Sequence, residues 1–572
     1  MSKPILIQAP SQGLNLLLPA NMIADRESPL AKNVLFSSGL IKTPYGFAKL
    51  TAGSLPLNSG DKVIGIAPYM EKDGTEHVII VTTDKIYQHD RVNDTWDNIV
   101  INDLTDPNNL LRANVDSPVS FAIVAHTDGI ALDGGANNAY YHLLVCDGGL
   151  SPIQRWAGKF EEKFYSLKGA DGYHETDIPA VIDHYAKQVT VFYNHVILIS
   201  PKTWDATAGI FRDNPQTVLW GKAGLLEGSD AYKIADVGSG YNELVDTGDS
   251  NVWSMQLGNQ LIIYQKHSIW SMSHVGGADV FRFRCEMPDL GLLAPHLLVS
   301  SSNKHYFIGN DFNIYEYSGG SYKQRIGDQI RDALKEDIDF TFARRCWMAI
   351  GANSSRLWIF YVPTGKEYIT KAYGVDTKTG AWMMREFSHV WTNDGITAVA
   401  TIGAQSYMVG DTYQHSINGA RTYAEAIVAG TTYRDVLQEI LTDEALTLGD
   451  SEGNIYQYDA DLTTDDGENI PAYFISKVFD YGLPDVYKWH DGITIVAKGT
   501  KLVVSYRTSS FDTENDGWQD FAAVDLTDEY KAYSFFFNET STQIQFKFAN
   551  SAGSTFKIRE FKLHAPTVED QI

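Results

Sequence analysis

Leu261–Ser273 reads LIIYQKHSIWSMS. Four apolar residues in succession, a polar turn and an Ile–aromatic pair describe a buried strand, a tight turn and a second strand. The pattern recurs in Val78–Asp90 (VIIVTTDKIYQHD), Tyr306–Ser318 (YFIGNDFNIYEYS) and Leu446–Asp459 (LTLGDSEGNIYQYD). Its aromatic members are Tyr87, Trp270, Tyr315 and Tyr456. The intervals between them fall near four, one and three multiples of roughly 46 residues, within the period of propeller blades. A blade carries apolar side chains on both faces and needs neighbours stacked around a ring. The repeat therefore predicts an all-β fold with a β-propeller-like body of about six to eight blades.

Segments between the repeats agree. Tyr140–Cys146, Val189–Ile199 and Leu357–Tyr361 read as strands bounded by Gly, Asn or Asp, and turn-then-Trp elements end at Trp96 and Trp382. Helical periodicity is confined to two stretches. Asp328–Asp337 puts Ile330, Ala333 and Leu334 on one face with Asp328 as a candidate cap, and Arg434–Ala445 groups Val436, Ile440 and Leu441. Both are expected as small appendages on a β body.

Two regions lie outside the repeat. Residues 1–55 show no sustained alternation and contain Gly39–Gly46 (GLIKTPYG), so an extended N-terminal arm or clasp is expected there. From residue 471 to 572 the pattern becomes a compact strand series. Ile493, Ile495 and Ala497 alternate, as do Leu502, Val504 and Tyr506, then Ile544, Phe546 and Phe548, with Phe556, Ile558, Phe561 and Leu563 following. Short alternating strands of this kind predict a C-terminal β-sandwich. Residues 56–470 are left for the propeller and its helical insertions.

The chain has 572 residues, 46 Lys and Arg against 71 Asp and Glu, and a net charge of −25. That balance argues against gripping nucleic-acid phosphates as the main task, and it also keeps a protein soluble at high concentration. Cys146, Cys285 and Cys346 are widely spaced without a CxxC, so free, mostly buried thiols and a cytosolic assembly compartment are expected. No basic segment followed by an apolar run opens the chain, and no apolar stretch is long enough to span a bilayer.

Catalytic signatures are sparse. No Gly-x-Ser-x-Gly, P-loop or His-Glu-x-x-His occurs, and His174-Glu175-Thr176-Asp177 lacks a second His at helical spacing. Asn93–Trp96 and Asp512–Trp518 only echo the acidic turn-Trp motif of sialidases, and no pair of carboxylates is singled out for glycoside hydrolysis. Asp459, Asp461, Asp465, Asp466 and Gly467 form an acidic turn with the hard oxygen ligands that suit Ca2+, but the spacing departs from an EF-hand and a solvated loop is favoured. The expectation is no enzyme, no cofactor, no metal and no catalytic residue.

The order of several segments resembles the tail nozzle and tail hub proteins of short-tailed bacteriophages, including packaged-DNA stabilisation proteins. Asn33-Val34 followed by Ser38–Gly46 is similar to their early segment, although Lys42 stands where an Arg is usual. Leu261–Ser273, Phe281–Arg284, Asp289–Pro295 (DLGLLAP), Tyr306–Tyr317 and Ile326–Ile330 follow one another as in their central region, and Val478–Lys488 is similar to phage structural modules. The resemblance implies a homo-oligomeric ring, commonly six copies, at the distal tail of the virion below the portal and its adaptor. Such a ring lines or closes the DNA exit channel, lets double-stranded DNA pass without sequence-specific binding, and anchors fibres or spikes. An acidic channel wall and a loop-built constriction are the expectations added by the charge and the repeat. The alternatives are a receptor- or glycan-binding virion protein and, further off, a propeller glycosidase.

Overall fold

The computed structural model describes residues 5–568 except 9–11, 38, 52, 72–75, 91–94, 100–110, 127–139, 159–163, 170–181, 206–207, 227–230, 234–236, 278, 352–354, 393, 403–445, 460–461 and 512. Among them, seven four-stranded antiparallel meanders follow one another as blades. Their inner strands are Val63–Met70, Ser120–His126, Ala186–Phe192, Asn251–Leu257, Leu298–Ser301, Trp347–Ile350 and Ile396–Thr401. Each inner strand packs against the next, and Ile396–Thr401 of blade seven packs against Val63–Met70 of blade one. The blades form a closed ring, and the chain is a seven-bladed β-propeller.

The unbroken apolar runs have a direct cause. Successive side chains of a strand point to opposite faces. Leu261 and Ile263 pack towards blade three with Ile197 and Trp220, whereas Ile262 and Tyr264 pack towards blade five with Phe307 and Tyr317. Val78 and Ile80 likewise meet blade seven while Ile79 and Val81 meet blade two. The interfaces among blades one to five, and that between blades seven and one, are thus separate apolar layers, whereas those around blade six merge with the sandwich core.

All four repeat segments form the hairpin of the second and third strands of a blade, namely blades one, four, five and seven. The intervals need correcting. Tyr87 and Trp270 are three blades apart and Tyr315 and Tyr456 two, because insertions lengthen the stretches between them. Val189–Ile199 is also two strands. It turns at Tyr193 and Asn194, both with positive φ (50° and 60°), so that Phe192 pairs with His195. Two consecutive positive φ values give a turn whose twist matches a hairpin. The first predicted helix is Arg331–Asp337. Its N-cap is Ile330 with no side-chain cap, so Asp328 does not have the capping role. Ile330 and Leu334 are buried as expected. The second, Arg434–Ala445, lies outside the described residues, as does His174–Asp177.

The C-terminal residues form the expected sandwich, and every residue of its alternating sets is buried. One sheet runs Lys531–Ser541, Lys488–Gly499, Phe556–Leu563; the other runs Tyr473–Ile475, Gln545–Ala549, Lys501–Arg507. Residues 1–55 are distributed among these bodies. Ile5–Gln8 and Leu40–Lys42 pair with Phe556–Leu563, and Leu30–Lys32 pairs with Tyr473–Ile475. Gly13 joins the outer strand of blade six at Trp382. Gly46–Lys49 is the fourth strand of blade seven, paired with Ile455–Asp459. Strands of two to four residues are too short to show alternation, which is why this segment looks irregular in sequence.

Candidate functional surfaces

The propeller is locked where its first and last strands meet. Gly46 lies so close to Thr464 that a Cβ would come within 1.9 Å of its carbonyl oxygen, so only glycine fits. Phe47 is buried and stacks on Trp391, with Tyr456 against its edge. Beside it the Arg385 guanidinium donates to both oxygens of Asp465 at 2.7 Å, and His389 Nε2 contacts the same carboxylate at 2.7 Å. Arg385 and Asp465 are 2% and 0% exposed, so this pair is sealed from water. Asn33 ties the lock to the sandwich. Its side chain donates to the Pro471 carbonyl and accepts from the Glu386 amide, at 2.9 and 2.7 Å.

This geometry bears on the acidic turn proposed for Ca2+. Asp465 is turned inward onto Arg385, which removes it from any ligand set, and Asp461 lies outside the described residues. No group of three or more potential ligands is present among the described residues. The thiols Cys146 and Cys346 are buried and Cys285 is half-buried; all are unpaired. No described helix is long and apolar enough to cross a membrane.

Asp61 and Asp84 form a carboxyl pair at one face of blade one. Burial, then the Asp61 carboxyl within hydrogen-bonding reach, holds Asp84 above its ordinary value. Carboxyls this close favour sharing a proton. Glycoside hydrolysis uses separations of roughly 5–9.5 Å.

The outer face of the sandwich carries exposed aromatics. Tyr487, Trp489 and Phe536 are 59%, 40% and 72% exposed. Lys531–Ser541 alternates so that Phe535 and Phe537 pack inward while Phe536 stands out. Around it lie hydroxyl, amide and imidazole groups. Trp489 bonds Asn538, Thr494 meets Ser534 at 2.9 Å, and His564 Nε2 meets Thr494 at 3.0 Å. An aromatic platform rimmed by polar groups fits either a protein interface or the apolar face of a sugar ring. The sequence singles out no residue here, although three consecutive Phe in an alternating strand must place one outward.

No family model matches the chain, and no curated protein matches it. Solved structures to which it is similar include an exo-β-1,3-galactanase from Phanerochaete chrysosporium with galactose. The identity is 6%, over 91% of this chain and 100% of that one, with a TM-score of 0.23. Another is a glycoside hydrolase family 43 arabinoxylan arabinofuranohydrolase from Bacillus subtilis in complex with cellotetraose, at 8% identity over 96% and 98% with a TM-score of 0.21. The expectation that the chain is no enzyme is corrected here, because the solved structures to which it is similar include these two glycoside hydrolases. At these TM-scores the likeness carries no argument for a reaction or a substrate.

Proposed function

We propose that the chain is a structural protein of a short-tailed bacteriophage tail, building a ring at the distal end that lines or closes the DNA exit channel and anchors fibres or spikes. The order of the quoted segments supports this reading. So does the architecture: the observation that carries it is the strand Gly46–Lys49, which closes blade seven while its neighbours in sequence are sewn into the sandwich. A chain in which one short stretch supplies strands to both modules transmits load through packing and backbone hydrogen bonds rather than through a linker. The exposed face around Trp489 and Phe536 is the surface proposed to meet a second copy of the chain, with six copies closing the ring. The portal or adaptor would lie above it.

The second reading is a receptor- or glycan-binding virion protein, favoured by the same face, where Trp489 and Phe536 would stack on sugar. Size-exclusion chromatography with light scattering separates the two. The structural reading expects an oligomer that Trp489→Ala with Phe536→Ser reduces to monomer, with the thermal midpoint little changed because both side chains are exposed. A monomeric wild type that binds glycans through Trp489 would replace it with the second reading.

A further inference from the structure

One cavity at a mouth of the propeller runs against the charge of the chain. In a four-stranded meander the start of the inner strand and the turn between the second and third strands lie at the same end of the blade. These segments from successive blades therefore converge around one mouth of the ring. A cavity of about 490 Å3 opens there, a volume within the range of small-molecule sites. Lys187 and Lys202 of blade three, Lys266 of blade four and Arg344 at the entry to blade six line it, with Asp213 as the one carboxylate among the described lining residues. In a chain of net charge −25, four cations facing one acid is a local inversion.

The acid does not neutralise them. Asp213 lies 3.6 Å from Lys202. Lys187 is half-buried and donates to the Asn251 carbonyl at 2.8 Å. Among the described residues neither it, Lys266 nor Arg344 has a carboxylate partner. Arg345, next in sequence, is the one that takes the nearby acid, meeting Asp116 at 2.6 and 3.2 Å. Burial, then the charge of Arg344, lowers Lys187 to about 8. A half-buried ammonium beside a guanidinium is costly to keep charged, and an anion set between them relieves both.

We propose that this mouth is an oxyanion site, in which Lys187, Lys266 and Arg344 clamp the phosphate or carboxylate group of a small ligand. Arginine offers a fork that matches either group, and lysine a point charge beside it. This site is separate from the sandwich face and does not depend on the tail reading.

Isothermal titration of the full chain with inorganic phosphate, glucuronate and glucose tests it. Phosphate or glucuronate binding is expected, and whichever binds more tightly identifies the source of the oxyanion; glucose gives no heat. Lys266→Gln and Arg344→Gln, both at exposed positions, should each weaken binding about tenfold while the thermal midpoint of the free protein stays put. Glucuronate, whose carboxylate is ionised throughout, should bind less tightly as pH rises from 7 to 9 and Lys187 loses its proton, the charged groups facing it being Lys202, Lys266, Arg344 and Asp213. No binding of either oxyanion at millimolar concentration overturns the proposal. So does glucose binding as tightly as glucuronate, or either Gln variant binding phosphate or glucuronate like the wild type.

Discussion

Asp465 carries more of the structure than its place in an acidic turn suggests. It accepts from Arg385 and contacts His389 in a site closed to water. Removing one partner of a buried ion pair leaves the other charge uncompensated and costs about 3–5 kcal/mol. Asp465→Asn is therefore expected to lower unfolding free energy by that order in urea titration; an unchanged midpoint would show the pair to be dispensable. A second effect at this scale concerns pH. Burial lowers His296 to about 3 and both His305 and His490 to about 4, from an ordinary value of 6.5. Each is held neutral when folded, so the unfolded chain takes up protons first as pH falls. The stability that these residues contribute is complete above about pH 6.5 and is lost progressively between there and about pH 4. Thermal midpoints across that window should fall, and His305→Gln should flatten the fall. Midpoints that hold constant between pH 6.5 and 4 would contradict the assignment of these imidazoles as neutral.

At the scale of the element, the closing strand is the part the sequence concealed. Its four residues, Gly46–Lys49, show one buried aromatic and no alternation worth reading. The pairing partner Ile455–Asp459 is some 400 residues away, and no local signal reports so distant a contact. The blade hairpins were legible for the opposite reason. Each is closed by a short turn within one segment, and burial on both faces forces apolar runs such as Leu261–Tyr264. Sandwich strands were legible through period-two alternation, with one face inward. Blade counting from intervals failed where consecutive strands of one blade lie far apart in sequence, as Ile396–Thr401 and Leu446–Asp450 do. The site surfaces were nearly invisible, since Lys187, Lys266 and Arg344 come together only when blades three, four and six surround one mouth. Phe47→Ala tests the closing strand. Truncating a fully buried Phe costs about 3–5 kcal/mol, and here the loss should appear as faster proteolysis within blade seven. Cleavage and stability like those of the wild type would mean that the ring does not depend on this strand.

For the molecule as a whole, closure and stitching make the two bodies unfold together. The sandwich borrows Leu30–Lys32, Leu35–Ser37 and Leu40–Lys42, and the propeller borrows Gly46–Lys49 from the same stretch of chain. A segment whose successive strands alternate between the bodies cannot leave one without pulling on the other, so calorimetry is expected to show a single transition. Two well-separated transitions would mean that the modules are only tethered. The distribution of charge also works at this scale. A chain of −25 that sets four cations against one acid in one cavity repels polyanions in general, and on the proposal above it keeps that one place for a small anion.

The central proposal is that this chain works as a ring-forming part of a virus tail. A reconstruction of the virus particle in which the proposal places it, at a resolution sufficient to count subunits, tests that proposal most directly. The account expects six copies around the tail axis at its distal end, the sandwich face bearing Trp489 and Phe536 buried between neighbours. Particles in which the chain stands as a projecting trimer or monomer, with that face open to the host surface, would contradict it.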